Sequence, residues 1–111
     1  MAYLYYGTEN CPVVMPDRML AHVKVVVATK LRRGESFMMT WKHPADDGAT
    51  SIWLQPSIPL RFVFDVADIG DLDGEYIQSL ARAANSSKGL VLHWEESAPA
   101  PGVRREEMIA A

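Results

Sequence analysis

Leu20-Ala-His-Val-Lys-Val-Val-Val-Ala-Thr-Lys-Leu-Arg-Arg-Gly-Glu-Ser-Phe37, and after it Ser51-Ile-Trp-Leu-Gln-Pro-Ser-Ile-Pro-Leu-Arg-Phe-Val-Phe64, decide the fold of this chain. In the first stretch Leu20, Val23, Val27 and Leu31 recur at the i, i+3, i+7, i+11 spacing of one helix stripe. The β-branched run Val25-Val26-Val27 opposes a helix, because branching at Cβ restricts χ1 against the preceding turn. The two ends outweigh it. Asp17 can accept an orphan backbone N–H as an N-cap, and Gly34 stands where a C′ residue adopts positive φ. These signals predict a helix over 18–33. Val25 and Val26 lie off its stripe and need cover from a wrapped sheet or a partner chain.

The second stretch alternates and then turns. Proline cannot donate to a ladder, so Pro56 and Pro59 bracket a corner between two strands. Upstream, Phe37, Met39 and Trp41 share one face, and Ser36, Thr40 and Lys42 share the other, with Met38 an apolar exception on the polar side. Residues 44–49 form a hairpin connection with Asp47-Gly48 at its tip. Tyr3 to Tyr6, Pro12 to Met15 and Leu90 to Glu95 complete the strands. Asp73 caps a second helix over 74–84, whose apolar stripe is Ile77, Leu80, Ala81 and Ala84. The order is β-β-α-β-β-β-α-β. It predicts an α+β fold, a mostly antiparallel sheet with two helices packed on it. Residues 1–95 read as a single domain, and 96–111 as a Pro-rich linker and tail.

The chain has 111 residues and 49% apolar composition, enough for one core without disulfides or metal. Its apolar runs fall well short of the ~18 residues that span a bilayer. The first six residues lack a basic region and an apolar signal core. Cys11 is the single cysteine. These features together point to the cytoplasm. A net charge of −3 argues against a surface built entirely for nucleic acid.

Several blocks carry a family likeness: Asp17-Arg18, Leu20-Ala-His22, Lys30-Leu-Arg-Arg-Gly-Glu-Ser-Phe37, Ile52-Trp-Leu54, Pro56-Ser-Ile-Pro-Leu60, Phe62-Val-Phe64 and Ala84-Asn-Ser-Ser87. In these the chain resembles a group of small uncharacterised actinobacterial and actinophage proteins, over about residues 3–94. Some members of that group are labelled ATP-dependent DNA ligase, which implies at most a neighbourhood in nucleic-acid metabolism. Such ligases use a lysine nucleophile in Lys-x-Asp-Gly. Lys24, Lys30, Lys42 and Lys88 all stand in other contexts, so no catalytic residue carries over.

Lys30, Arg32 and Arg33 are the candidate nucleic-acid contacts. On a helical wheel they scatter, which favours cations complementing the helix C-terminus. Asp65, Asp68, Asp71, Asp73 and Glu75 fail the calcium-loop test: with Gly74 at position 6, Ile69 and Leu80 fall at positions 1 and 12. Cys11, His22, His43 and His93 lack metal-ligand spacing. His22 falls away from the apolar stripe, where a solvated histidine is ordinary. Trp41, Trp53 and Trp94 read as core for at least two of the three. No catalytic motif or cofactor signature is present. The expectation is a small non-catalytic module that binds a macromolecule, protein or a second copy, with Val25, Val26, Met108 and Ile109 as interface residues. A nucleic-acid accessory protein using Lys30, Arg32 and Arg33 stands second.

Overall fold

The structure, a computed structural model, describes residues 1–94. Strands β1 (Ala2–Tyr6) and β2 (Val13–Met15) precede helix α1 (Asp17–Arg32). Strands β3 (Phe37–Lys42), β4 (Ala49–Leu54) and β5 (Leu60–Phe64) follow, then helix α2 (Gly74–Ala84) and strand β6 (Leu90–Leu92). The class is α+β, in the order the sequence predicts. Among the described residues no helix is long and apolar enough to cross a membrane.

The strands divide into two three-stranded sheets, β2-β1-β5 and β4-β3-β6. The Pro56–Pro59 corner supplies the reason. Both prolines lack the donor a continued hairpin needs, so β5 leaves β4 and pairs antiparallel with β1, Leu4 opposite Phe62. β3 and β4 form an antiparallel hairpin, Met39 opposite Ile52. β6 returns beside β3 in parallel, Thr40 opposite Val91, after the crossover through α2. One apolar cluster joins both sheets to both helices, with Leu4, Met15, Leu20, Met39, Leu54 and Leu90 fully buried.

Helix α1 forms despite its valine run because tertiary burial outweighs propensity. Its buried arc is wider than the predicted stripe and includes His22, Val26 and Lys30. Helix α2 packs along that flank. Val26 is only 3% exposed and belongs to the core, so the chain itself covers it. Val25 is half-buried in the groove between the helices, beside Ile77 and Ala81. The expected cover for Val26, a wrapped sheet or a partner chain, is supplied instead by the chain's own core and α2. Met108 and Ile109 lie outside the described residues.

Asp17 does not cap α1. Pro16 occupies that position without a side-chain bond. The Asp17 carboxylate instead lies 2.7 Å from the Met1 amino group and accepts the Asp65 N–H at 3.2 Å. It ties the start of α1 to the ends of β1 and β5. Asp73 caps α2 as predicted, accepting the Glu75 and Tyr76 N–H groups.

Candidate functional site

The predicted basic cluster does not assemble. Lys30 is 8% exposed. Its Nζ donates to Asn85 Oδ1 at 2.5 Å and lies 3.1 Å from Glu35 Oε1. The ammonium thus sits between the C-terminal ends of α1 and α2, where carbonyl dipoles and Glu35 neutralise it. Lys30, as the largest cause, holds the Glu35 carboxyl below its ordinary pKa. Arg33 pairs with the same Glu35 at 3.6 Å. Arg32 and Arg33 remain exposed, but Lys30 is structural and leaves no three-cation patch.

His22 is also structural. It is fully buried, and both ring nitrogens are engaged. Nε2 accepts the Asp73 N–H at 2.9 Å, so Nδ1 carries the proton and donates to the Arg18 carbonyl at 2.6 Å. The ring lies 4.8 Å from Tyr76. The histidine expected in solvent is instead the pin between α1 and the start of α2. The helical wheel alone did not reveal that α2 covers this flank.

The exposed candidate is the outward face of β4-β3-β6. Register places Trp53 beside Met38, Ser51 beside Thr40 beside Val91, and Ala49 beside Lys42. Trp53 is 49% exposed, Val91 43% and Met38 37%. Thr40 and Ser51 hydroxyls bond at 2.6 Å between the apolar groups. None of these residues is a carboxylate, in a chain with 14 acidic residues. Trp41 and Trp94 pack against the core, leaving Trp53 as the outward tryptophan. The Tyr6 hydroxyl donates to the Trp53 carbonyl at 2.5 Å and fixes the edge strand beneath that side chain. The out-of-phase Met38 was the sequence signal for this face.

Residues 1–95 match the family described as a domain of unknown function, DUF7882. The chain belongs to the DUF7882 family. No curated protein and no solved structure matches it. The residues of this DUF7882 domain must therefore carry any functional reading themselves.

One further polar group stands out in the DUF7882 domain, at the β3–β4 hairpin. His43 Nδ1 lies 3.0 Å from Asp46 Oδ1, and His43 Nε2 lies 2.7 Å from Thr50 Oγ1. The Gly48 N–H donates to Asp46 Oδ1 at 2.7 Å. That bond first, and His43 second, hold the Asp46 carboxyl below its ordinary pKa. Among the described residues no group of three His, Cys, Asp or Glu side chains is placed to hold a metal ion.

Proposed function

We propose that this DUF7882 chain is a small macromolecule-binding module acting in the cytoplasm, and that its partner is a short apolar segment of another protein. The observation that carries this reading is the group Trp53, Met38 and Val91 on a sheet face without a carboxylate. An aromatic anchor beside aliphatic groups is the composition of an interface centre. The size of the face limits the partner. Two inter-strand steps of about 4.8 Å and two same-face steps of about 6.8 Å make a platform of roughly 10 by 14 Å. A stable globular interface buries about 800 Å² per partner. A linear segment fits the smaller platform better than an obligate subunit does.

Panning a random peptide library on the immobilised domain tests this, with the double variant Trp53→Ser, Met38→Ser as counter-selection. Enriched apolar peptides that bind the parent and not the variant support the proposal. Failure to enrich, or binding indifferent to the variant, removes it. Native mass by light scattering distinguishes a second copy as the occupant: an oligomer that becomes monomeric in the variant makes the partner self.

Trp53 with Lys42 on the same face favours one alternative, single-stranded nucleic acid stacking on the indole with a phosphate at the ammonium. It replaces the Lys30, Arg32 and Arg33 patch as the basis of that reading. Oligonucleotide affinity that falls with salt, and falls further in Trp53→Ser, would favour it over the peptide.

A further inference from the structure

The His43 network lies on the opposite face of the hairpin from Trp53, and its atoms stand in defined roles. Trp41 pairs with Thr50, and the His43 N–H donates to the Gly48 carbonyl, so His43 and Thr50 project to one side of the hairpin. A carboxylate only accepts, so His43 Nδ1 carries the proton toward Asp46. Nε2 then holds the lone pair and accepts the Thr50 hydroxyl proton. Gly48 completes the fit. A Cβ at that position would come within 2.9 Å of His43 Nδ1 and 3.1 Å of Asp46 Oδ1. The space a side chain needs is taken by the His–Asp pair.

Thr50 also borders a cleft of about 360 Å³ where the two sheets meet. Tyr6, Pro12, Val13, Trp41 and Ile52 supply its apolar wall, and Glu9 and the Cys11 thiol also line it. His43 and Asp46 line a neighbouring cavity of about 370 Å³ that opens to solvent and includes His93. Hydroxyl, base and orienting carboxylate therefore meet within one hairpin, with Thr50 bordering the apolar cleft and His43 and Asp46 bordering the open cavity. Nucleophile and base within hydrogen-bond reach, with the base held by a third group, is the geometric signature of nucleophilic acyl transfer.

We propose that Thr50, His43 and Asp46 form an acyl-transfer site that hydrolyses small carboxylic esters. Thr50 Oγ1 forms a bond to the carbonyl carbon as its proton passes to His43 Nε2. The tetrahedral adduct collapses, the bond to the leaving alcohol breaks, and the alcohol leaves with the proton from His43. Water, deprotonated by the same imidazole, then attacks the acyl-threonine. The carboxylic acid is released and the Thr50 hydroxyl restored, so ester and water yield acid and alcohol. Thr50 and His43 are the catalytic residues. Asp46 is a positioning residue that holds the tautomer. Its side chain is 66% exposed, which screens its charge, so turnover is modest and best with esters whose alcohol leaves readily. The site goes beyond the binding face and does not depend on it.

The test is turnover of p-nitrophenyl acetate by the full chain, with peptide mapping of trapped acetyl groups. The expected result is turnover with acetyl on the peptide containing Thr50. Thr50→Val abolishes both, and Thr50→Ser, which keeps the hydroxyl, retains them. His43→Gln lowers kcat about 10²- to 10⁴-fold. Asp46→Asn lowers kcat with little change in KM, which loss of hairpin structure alone would not produce. No turnover above buffer, acetyl confined to Cys11 or lysines, or rates unchanged in Thr50→Val and His43→Gln would overturn the proposal and leave the network a hairpin clamp. Urea unfolding of each variant separates lost chemistry from lost fold.

Discussion

Replacing His22 by Phe isolates what the buried imidazole contributes. The two rings are similar in size, so packing against Tyr76, 4.8 Å away, is kept. The Arg18 carbonyl keeps its ordinary acceptor role toward the N–H four residues on. The Asp73 N–H loses its side-chain partner, at a point where α2 begins against α1. That hydrogen bond is part-buried, so losing its acceptor costs about 0.5–1.5 kcal/mol, and the more apolar ring returns some of it. A net loss of about 1 kcal/mol lowers Tm by roughly 4–8 °C in a domain of this size. Urea unfolding followed by tryptophan fluorescence measures it directly, as a lower midpoint at unchanged slope. Asp73→Ala serves as the companion. It keeps the backbone N–H and loses only the cap, about 1 kcal/mol. A His22→Phe midpoint equal to or above the parent would refute the assignment of His22 as a structural pin.

Two glycines with similar backbone should respond differently to alanine. Gly89 has φ +79 and its Cβ would collide with the Met38 carbonyl oxygen, whereas Gly34 has φ +74 with open space around it. Gly34→Ala should cost about 1 kcal/mol of conformational strain, and Gly89→Ala at least about 2 kcal/mol because the β3 backbone must move as well; equal unfolding midpoints would contradict the close approach. The amino-terminal cluster predicts a pH dependence at both ends. Hydrogen bonding to Asp17, the largest cause, raises the Met1 amino pKa above 8.0, and the same contact lowers Asp17 below 3.8. The amino group's contribution is complete below pH 8.0 and fades as pH rises through the raised value. The Asp17 contribution is complete above pH 3.8 and fades as pH falls through the lowered value. Unfolding midpoints against pH should show a plateau whose two shoulders both flatten in Asp17→Asn.

Element type and order were legible because they rest on local signals. Asp73 and Gly34 mark helix ends, and the alternation from Phe37 to Trp41 marks a strand whatever packs on it. The same signals misplaced Asp17. As the first helical residue it answers the Met1 amino group, a partner that arrives only when β1 lies beside α1. The hairpin network was closer to reach. His43, Asp46 and Thr50 span eight residues, and the register of a six-residue loop places His43 and Thr50 on one side, but only once the Trp41–Thr50 pairing is known.

By itself the sequence determined the α+β class, the eight elements in order, the two prolines that end β4, and Met38 as an apolar residue on the polar face of β3. Those features follow from periodicity and backbone restriction, which act within a few residues. Only the tertiary structure decided that the strands form two sheets, that β6 runs parallel to β3, and that His22, Val26 and Lys30 lie buried under α2. Each of these depends on which surface meets which across more than fifty residues of chain, as the Lys30–Asn85 and His22–Asp73 contacts do. Burial of a flank is a property of the pair of elements that share it, and no single stretch of sequence contains both.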